Sequence, residues 1–249
     1  MKKARNTLFV ILLAVFILAP ASEASLFLSS WGISYGNWDP VSTLAPSHIA
    51  YSVEDWTGSP SDGYLDPGYG GNGYDVEAVY AGCDNDYFYV AVVTGFPIAG
   101  RRSGDEIFAP GDIAIDTNLD NIYDLAVDTD AGGTLRQTNL TWENPSVGGH
   151  PVWGGASDPL RVTGWSQSSA PAAWSYGAFH GRYAIEAMID RSFLGSETGF
   201  AMHWTMGCGN DVGEVRLDCT PPVPEPASLG LLGLGLMGGG LLRRLRHKK

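Results

Sequence analysis

Tyr87-Phe88-Tyr89-Val90-Ala91-Val92-Val93-Thr94 is the stretch that decides the fold. It is built of aromatic, β-branched and alanine residues, with no charge, glycine or proline to interrupt it. Such a run predicts a strand buried on both faces, near the middle of a sheet. Just upstream, Tyr74, Val76, Ala78 and Tyr80 alternate with Asp75, Glu77 and Val79, and Gly82-Cys83-Asp84-Asn85-Asp86 supplies turn residues. Tyr74 to Thr94 therefore reads as a β-hairpin.

The same signals recur on either side. Asp112 to Asp116 and Ile122 to Val127 flank a turn at Thr117 to Asn121. Tyr183 to Ile189 reads as a strand, followed by a short helical turn at Arg191 to Gly195. Phe200 to Cys208 and Val212 to Asp218 read as a last hairpin around Gly209-Asn210-Asp211. Ser25 to Gly73 and Thr138 to Ala173 are rich in Gly, Ser, Pro and Trp and read as loops. Short strands with turn signals and almost no long helix predict an all-β, antiparallel sandwich.

Both ends depart from this pattern. Lys2, Lys3 and Arg5 precede the apolar run Leu8 to Ala19, and small residues at Ser22 and Ala24 suit cleavage after Ala24. That order describes a secretory signal over residues 1–24. At the other end Val223-Pro224-Glu225-Pro226 leads into the uncharged, glycine-rich stretch Ala227 to Leu242. Arg243, Arg244 and Arg246 follow, and a short apolar segment closed by basic residues is a stop-transfer pattern. The order Pro-Glu-Pro, apolar helix, arginine cluster resembles the PEP-CTERM sorting signal. The resemblance implies export, processing by an exosortase, and anchoring in the inner membrane through a C-terminal helix beforehand. It also implies a final place on the cell surface or in the extracellular matrix of a biofilm. The alternative is a permanent single-span anchor. The expected organisation is a signal at 1–24, a β-sandwich at 25–220 and a sorting tail at 221–249.

Of the 15 Lys and Arg residues, three lie in the signal and five in the tail, leaving seven, all arginine. Of the 27 Asp and Glu residues, all but Glu23 and Glu225 lie between the ends, leaving 25 and a net charge of about −18 for the domain. A field of that sign excludes nucleic acid as a partner and suits divalent cations or neutral polymers.

The strings Tyr74 to Tyr80, Tyr87 to Gly95, Gly111 to Asp116, Tyr183 to Ile189 and His203 to Asp211 are together similar to DOMON-like sandwiches and family 9 carbohydrate-binding modules. That resemblance implies a jelly-roll-like sandwich and leaves the ligand open.

Three constellations are candidates for chemistry. Asp116, Asn118, Asp120, Asn121 and Asp124 place oxygen atoms at close intervals in one turn, the pattern of a calcium loop. An EF-hand is excluded, because its sixth and twelfth positions fall on Asn121 and Val127. The alternative is an Asx-rich turn whose side chains bond their own backbone. Trp142, Trp153 and Trp165, set among Gly, Ser and Pro, are candidates for stacking on the sugars of an exopolysaccharide, or for pinning long loops to the sandwich. Glu186 and Glu77 are the acids that a carbohydrate-active hydrolase or lyase would use. A non-enzymatic surface protein is the preferred reading.

Cys83, Cys208 and Cys219 leave one thiol over once a pair oxidises outside the cytoplasm. In a regular hairpin centred near Asp211, Cys208 lies opposite Glu214 and Cys219 sits about 17 Å further along. A disulfide needs Cα atoms within about 7 Å. That disfavours Cys208–Cys219; Cys83 and Cys208 each sit beside a hairpin turn, and Cys219 adjoins the linker at Pro221-Pro222, so the expected bridge is Cys83–Cys208, with Cys219 free.

Overall fold

The structure is a computed structural model that describes residues 25–54, 71–151, 155 and 157–220. The expected signal helix, the sorting tail with its expected helix, and Trp153 lie outside the described residues. The strands are β1 (His48–Val53), β2 (Val76–Cys83), β3 (Tyr87–Thr94), β4 (Arg101–Ser103), β5 (Glu106–Phe108), β6 (Ile113–Asp116), β7 (Leu125–Asp128), β8 (Thr134–Gln137) and β9 (Thr141–Glu143). They continue with β10 (Ser146–Val147), β11 (His150–Pro151), β12 (Arg161–Gly164), β13 (Gln167–Ser169), β14 (Ala173–Phe179), β15 (Arg182–Asp190), β16 (Gly199–Thr205) and β17 (Val212–Asp218).

Two antiparallel sheets carry the fold. One has five strands in the order β1-β2-β3-β15-β14, and the other has six in the order β13-β8-β7-β6-β16-β17. β3 is the middle strand of its sheet, as its unbroken apolar run requires. Phe88, Val90 and Val92 of β3 and Ile185, Ala187 and Ile189 of β15 face Ile113, Ile115, Leu125, Val127, Leu135, Phe200, Met202 and Trp204 of the other sheet. Burial of each large apolar side chain here stabilises the fold by roughly 1.5 to 3 kcal/mol. A bulge between Val76 and Ala78 resets the phase of β2, which lets Val76 and Val79 both point into this core.

The outer face of the five-stranded sheet is also apolar, with Ala78, Tyr80, Ala91, Val93, Phe179 and Ala184. Phe27, Leu28, Trp31, Ile33 and Trp38 cover it as a second core. The stretch that composition marks as loop is thus a packed layer. On the outer side of the six-stranded sheet, the β9–β12 ribbon is tied down by Asp112, whose carboxylate accepts from Val162 N and Thr129 N.

β17 lies over β2 in the facing sheet and runs in the same direction. Asp211, just before β17, accepts a hydrogen bond from Val76 N at the start of β2. Gly213 packs against Val76 and Val79, where a Cβ would collide with Val79. At the far ends Cys83 and Cys219 form the disulfide, with Cα atoms 6.1 Å apart. This corrects the expected Cys83–Cys208 pair, because Cys208 is a buried free thiol. The reason is the last hairpin's register. Thr205 pairs with Val212, so Cys208 sits in the connecting loop at the Asp211 end of the sandwich, the length of β2 away from Cys83.

Candidate functional site

On the outer face of the six-stranded sheet the strand register sets up two cross-strand rows. Asp116, Ala201 and Arg216 form one, and Ala114, His203 and Glu214 form the next. Alanine at the centre of the first row leaves a depression between longer neighbours. The result is a cleft of about 360 Å³ lined by Asp116, Asn121, Tyr123, Ala201, Glu214 and Arg216. Asn121, Glu214 and Arg216 are exposed, and Tyr123 is half-buried at the rim.

The cleft's walls are braced. His203 is buried, its Nδ1 is 2.9 Å from Glu214 Oε1, and its Nε2 is 3.0 Å from the carbonyl oxygen of Pro159. The hydrogen bond to His203 holds the Glu214 carboxyl below its ordinary range, so Glu214 presents a charged acceptor. Tyr123 lies edge-on to Trp142, with ring centroids 6.1 Å apart, and tilted against His203 at 5.7 Å. Burial pushes the Tyr123 hydroxyl up to about 12, which keeps it a neutral donor. Of these groups, sequence reasoning singled out Asp116 and Asn121 but missed Tyr123, Glu214 and Arg216. The signal for the last two was available, since Glu214 and Arg216 are alternate residues on the solvent side of a predicted strand.

The five oxygen-bearing residues lie in the Asp116–Asp124 hairpin, and the side-chain oxygens of Asp116, Asn118, Asp120 and Asp124 accept from the loop itself. Asp116 is buried, its Oδ1 accepts from the amides of Asn118, Leu119 and Asp120, and its Oδ2 accepts from Asn121 N at 2.7 Å. Asn118 accepts from Asp120 N, and Asp120 accepts from Ile122 N. Asp124 takes the amide and hydroxyl of Thr117. The left-handed φ values of Leu119 and Asn121, 63° and 67°, turn these amides inward. Among the described residues no group of three or more His, Cys, Asp or Glu side chains is placed to hold one metal ion. A second cleft of about 230 Å³, lined by Thr117, Asp124, Gln137 and Thr138 among others, flanks the hairpin on its other side.

The tryptophans are dispersed. Trp142 is half-buried against Tyr123, and Trp165 is 40% exposed with the Arg136 guanidinium 4.0 Å from its ring centre. One face of Trp165 is therefore covered. The two acids of the hydrolase alternative are both fully buried under the outer layer of the five-stranded sheet. Glu77 is ion-paired with Arg182. Glu186 accepts four hydrogen bonds from Ser25, Leu26, Phe27 and Leu28. Neither lines either cleft.

Residues 222–246 match the PEP-CTERM protein-sorting motif, which contains Val223 to Pro226 and Arg243, Arg244 and Arg246. The motif marks an exported protein that is handed to an exosortase and is membrane-anchored before processing. No curated protein and no solved structure matches the chain, so the likeness to DOMON-like and family 9 carbohydrate-binding sandwiches stands on the sequence strings alone.

Proposed function

We propose that this exported, exosortase-sorted protein is a non-enzymatic component of the cell surface or matrix, whose sandwich binds a neutral exopolysaccharide in the cleft above Ala201. The observation that supports this reading is the cleft's composition. Asn121, Glu214 and Arg216 offer an amide, a carboxylate and a planar guanidinium around Ala201, beside Tyr123. Vicinal hydroxyls are recognised by such paired donors and acceptors, and the sugar's C–H face packs on an aromatic ring. The burial of both Glu77, ion-paired with Arg182, and Glu186, which holds four donors, counts against hydrolysis, which needs two carboxyls flanking a bond.

The test is a polysaccharide-binding panel with the purified protein, read beside reducing-end release. Binding without turnover is expected, weakened at least about tenfold by Arg216→Ala or Tyr123→Ala, the loss of roughly 1.4 kcal/mol. Binding untouched by both variants, or no binding at all, overturns the reading. Turnover lost in Glu77→Gln would establish the hydrolase instead. Calcium at the Asp116–Asp124 hairpin is the second ligand proposed from the oxygen-rich spacing, and it has its own measurement. A melting temperature raised by calcium and insensitive to it in Asp120→Ala would establish the ion. The same melting curve in calcium and in chelator would leave the hairpin a self-closed Asx turn.

A further inference from the structure

Glu186 receives four donors from four consecutive residues, Ser25 to Leu28. Ser25 Oγ lies 3.1 Å from Oε1, Leu26 N 2.8 Å from Oε2, and Phe27 N and Leu28 N 2.8 and 2.9 Å from Oε1. All four donors are neutral, although the carboxylate is fully buried. A buried carboxylate is best compensated by a cation as well as by hydrogen bonds. The residue that supplies the first donor is also the first residue after the expected cleavage at Ala24.

We infer that Glu186 is the receptor for the α-ammonium group that signal removal creates at Ser25, so that processing locks the N-terminal layer onto the sandwich. This rests on the reading of cleavage after Ala24. Within one serine the backbone nitrogen and Oγ are about 3 to 4 Å apart, which puts the new charge within about 7 Å of Oε1. An opposite charge at or inside that distance attracts a carboxylate near a low-dielectric surface. In the unprocessed chain the same nitrogen is an uncharged amide. The layer it anchors carries Phe27, Leu28, Trp31, Ile33 and Trp38, so the contact controls whether the outer face of the five-stranded sheet is sealed.

The sequence makes the ammonium unusually easy to address. Its four lysines are Lys2, Lys3, Lys248 and Lys249, so in a chain that begins at Ser25 the sole primary amines are the N-terminus and the two tail lysines. The experiment uses the full processed protein, exported in a host without an exosortase so that the tail is retained, with its N-terminal mass checked. Limiting amine acylation, read by peptide mass, is expected to modify Ser25 at least about tenfold more slowly than Lys248 and Lys249. In Glu186→Gln the rates should converge. Complete acetylation in a Lys248→Arg, Lys249→Arg background should lower Tm by about 5 °C, the loss expected for one partly buried ion pair in a domain of this size. The same acetylation should leave Tm unchanged in Glu186→Gln. Equal acylation rates in the Glu186 protein, or an unchanged Tm on acetylation, overturn the inference, and this holds even if Glu186→Gln fails to fold. An N-terminus found elsewhere than Ser25 overturns the cleavage reading instead, and the mass distinguishes the two failures.

Discussion

The Cys83–Cys219 disulfide joins residues 136 apart in sequence and ties the end of β2 to the end of β17 across the sandwich. Cross-linking a loop of that length removes about 5 kcal/mol of conformational freedom from the unfolded chain by the chain-entropy relation. In a domain of about 200 residues each kcal/mol moves Tm by roughly 2 to 4 °C. Cys83→Ala with Cys219→Ala should therefore lower Tm by roughly 10 to 20 °C and raise the denaturant m-value, because the unfolded chain expands. Cys208→Ala should keep the bridge and lose only the small packing contribution of one buried thiol. The local structure also predicts that the bridge forms readily. Arg191 donates to the carbonyl oxygens of both Asp84 and Cys219, holding the two chain segments side by side. Differential scanning calorimetry of the exported protein, with non-reducing peptide mapping, is the assay. A Cys83–Cys208 peptide, or a double variant that melts within about 2 °C of the parent, would refute the reasoning.

Three further outcomes follow from packing and charge. Gly213→Ala forces a Cβ into Val79 between the two sheets and should cost about 1 to 3 kcal/mol in chemical denaturation, whereas an unchanged midpoint would mean the sheets are not in contact there. Asp116→Ala strands the four amides that its carboxylate binds and should cost about 2 to 4 kcal/mol, with faster hydrogen exchange at residues 118–121 as the local readout. Burial pushes Asp112 up to about 6, above its unfolded value near 4, so its contribution is fully present below about pH 4 and is lost as pH rises through 6. Glu214, held low by His203, has the opposite sign, and its contribution is lost as pH falls below about 4. From these two groups Tm should therefore peak at about pH 4, and Asp112→Asn should flatten the decline between about pH 4 and 6.

What was legible in the sequence was whatever is buried on two sides. β3, β15 and β16 are central strands, and their uninterrupted apolar runs announce them. Beyond β8 and the short strands β4, β5 and β9 to β13, the strands missed are β1 and β14, the two edges of the five-stranded sheet. Each pairs on one side only and is largely half-buried, so His48–Val53 and Ala173–Phe179 keep polar residues and glycine that blur the alternation. The N-terminal layer was hidden for a related reason. Its aromatic residues sit on a 3-10 turn and irregular loops, which carry no period. The signal that it must exist lay in its partner instead. Ala78, Tyr80, Ala91 and Val93 make the second face of β2 and β3 apolar, and such a face demands a cover. The disulfide was misassigned because the first and last hairpin turns were placed at one end of the sandwich, whereas Asp211 sits at the start of β2 and the far ends of β2 and β17 bring Cys83 to Cys219.

The candidate site was harder to read than the fold because of how this domain uses its acids. With 25 carboxylates, seven arginines and no lysine between the two ends, few acids can be neutralised by side chains. Among the described residues, arginine pairs with an acid in Glu77–Arg182, Asp128–Arg136 and Asp130–Arg161. Elsewhere the partner is the backbone. Asp116 gathers four amides, Glu186 three amides and a hydroxyl, Asp112 two amides and a hydroxyl, and Asp84 two amides and the Tyr89 hydroxyl. Asp116 and Glu186 clamp loop segments, Asp84 closes a hairpin turn and Asp112 ties a separate ribbon to the sandwich, which is how a domain with such long loops stays ordered. From sequence, a carboxylate in a turn reads as a metal ligand, and one in an apolar strand reads as a catalytic acid. In a chain short of cations both are more economically read as acceptors for loop amides. By that criterion the acid to test for ligand contact is Glu214, which is exposed in a cleft and held by a histidine, and which leaves an oxygen free for a bound hydroxyl.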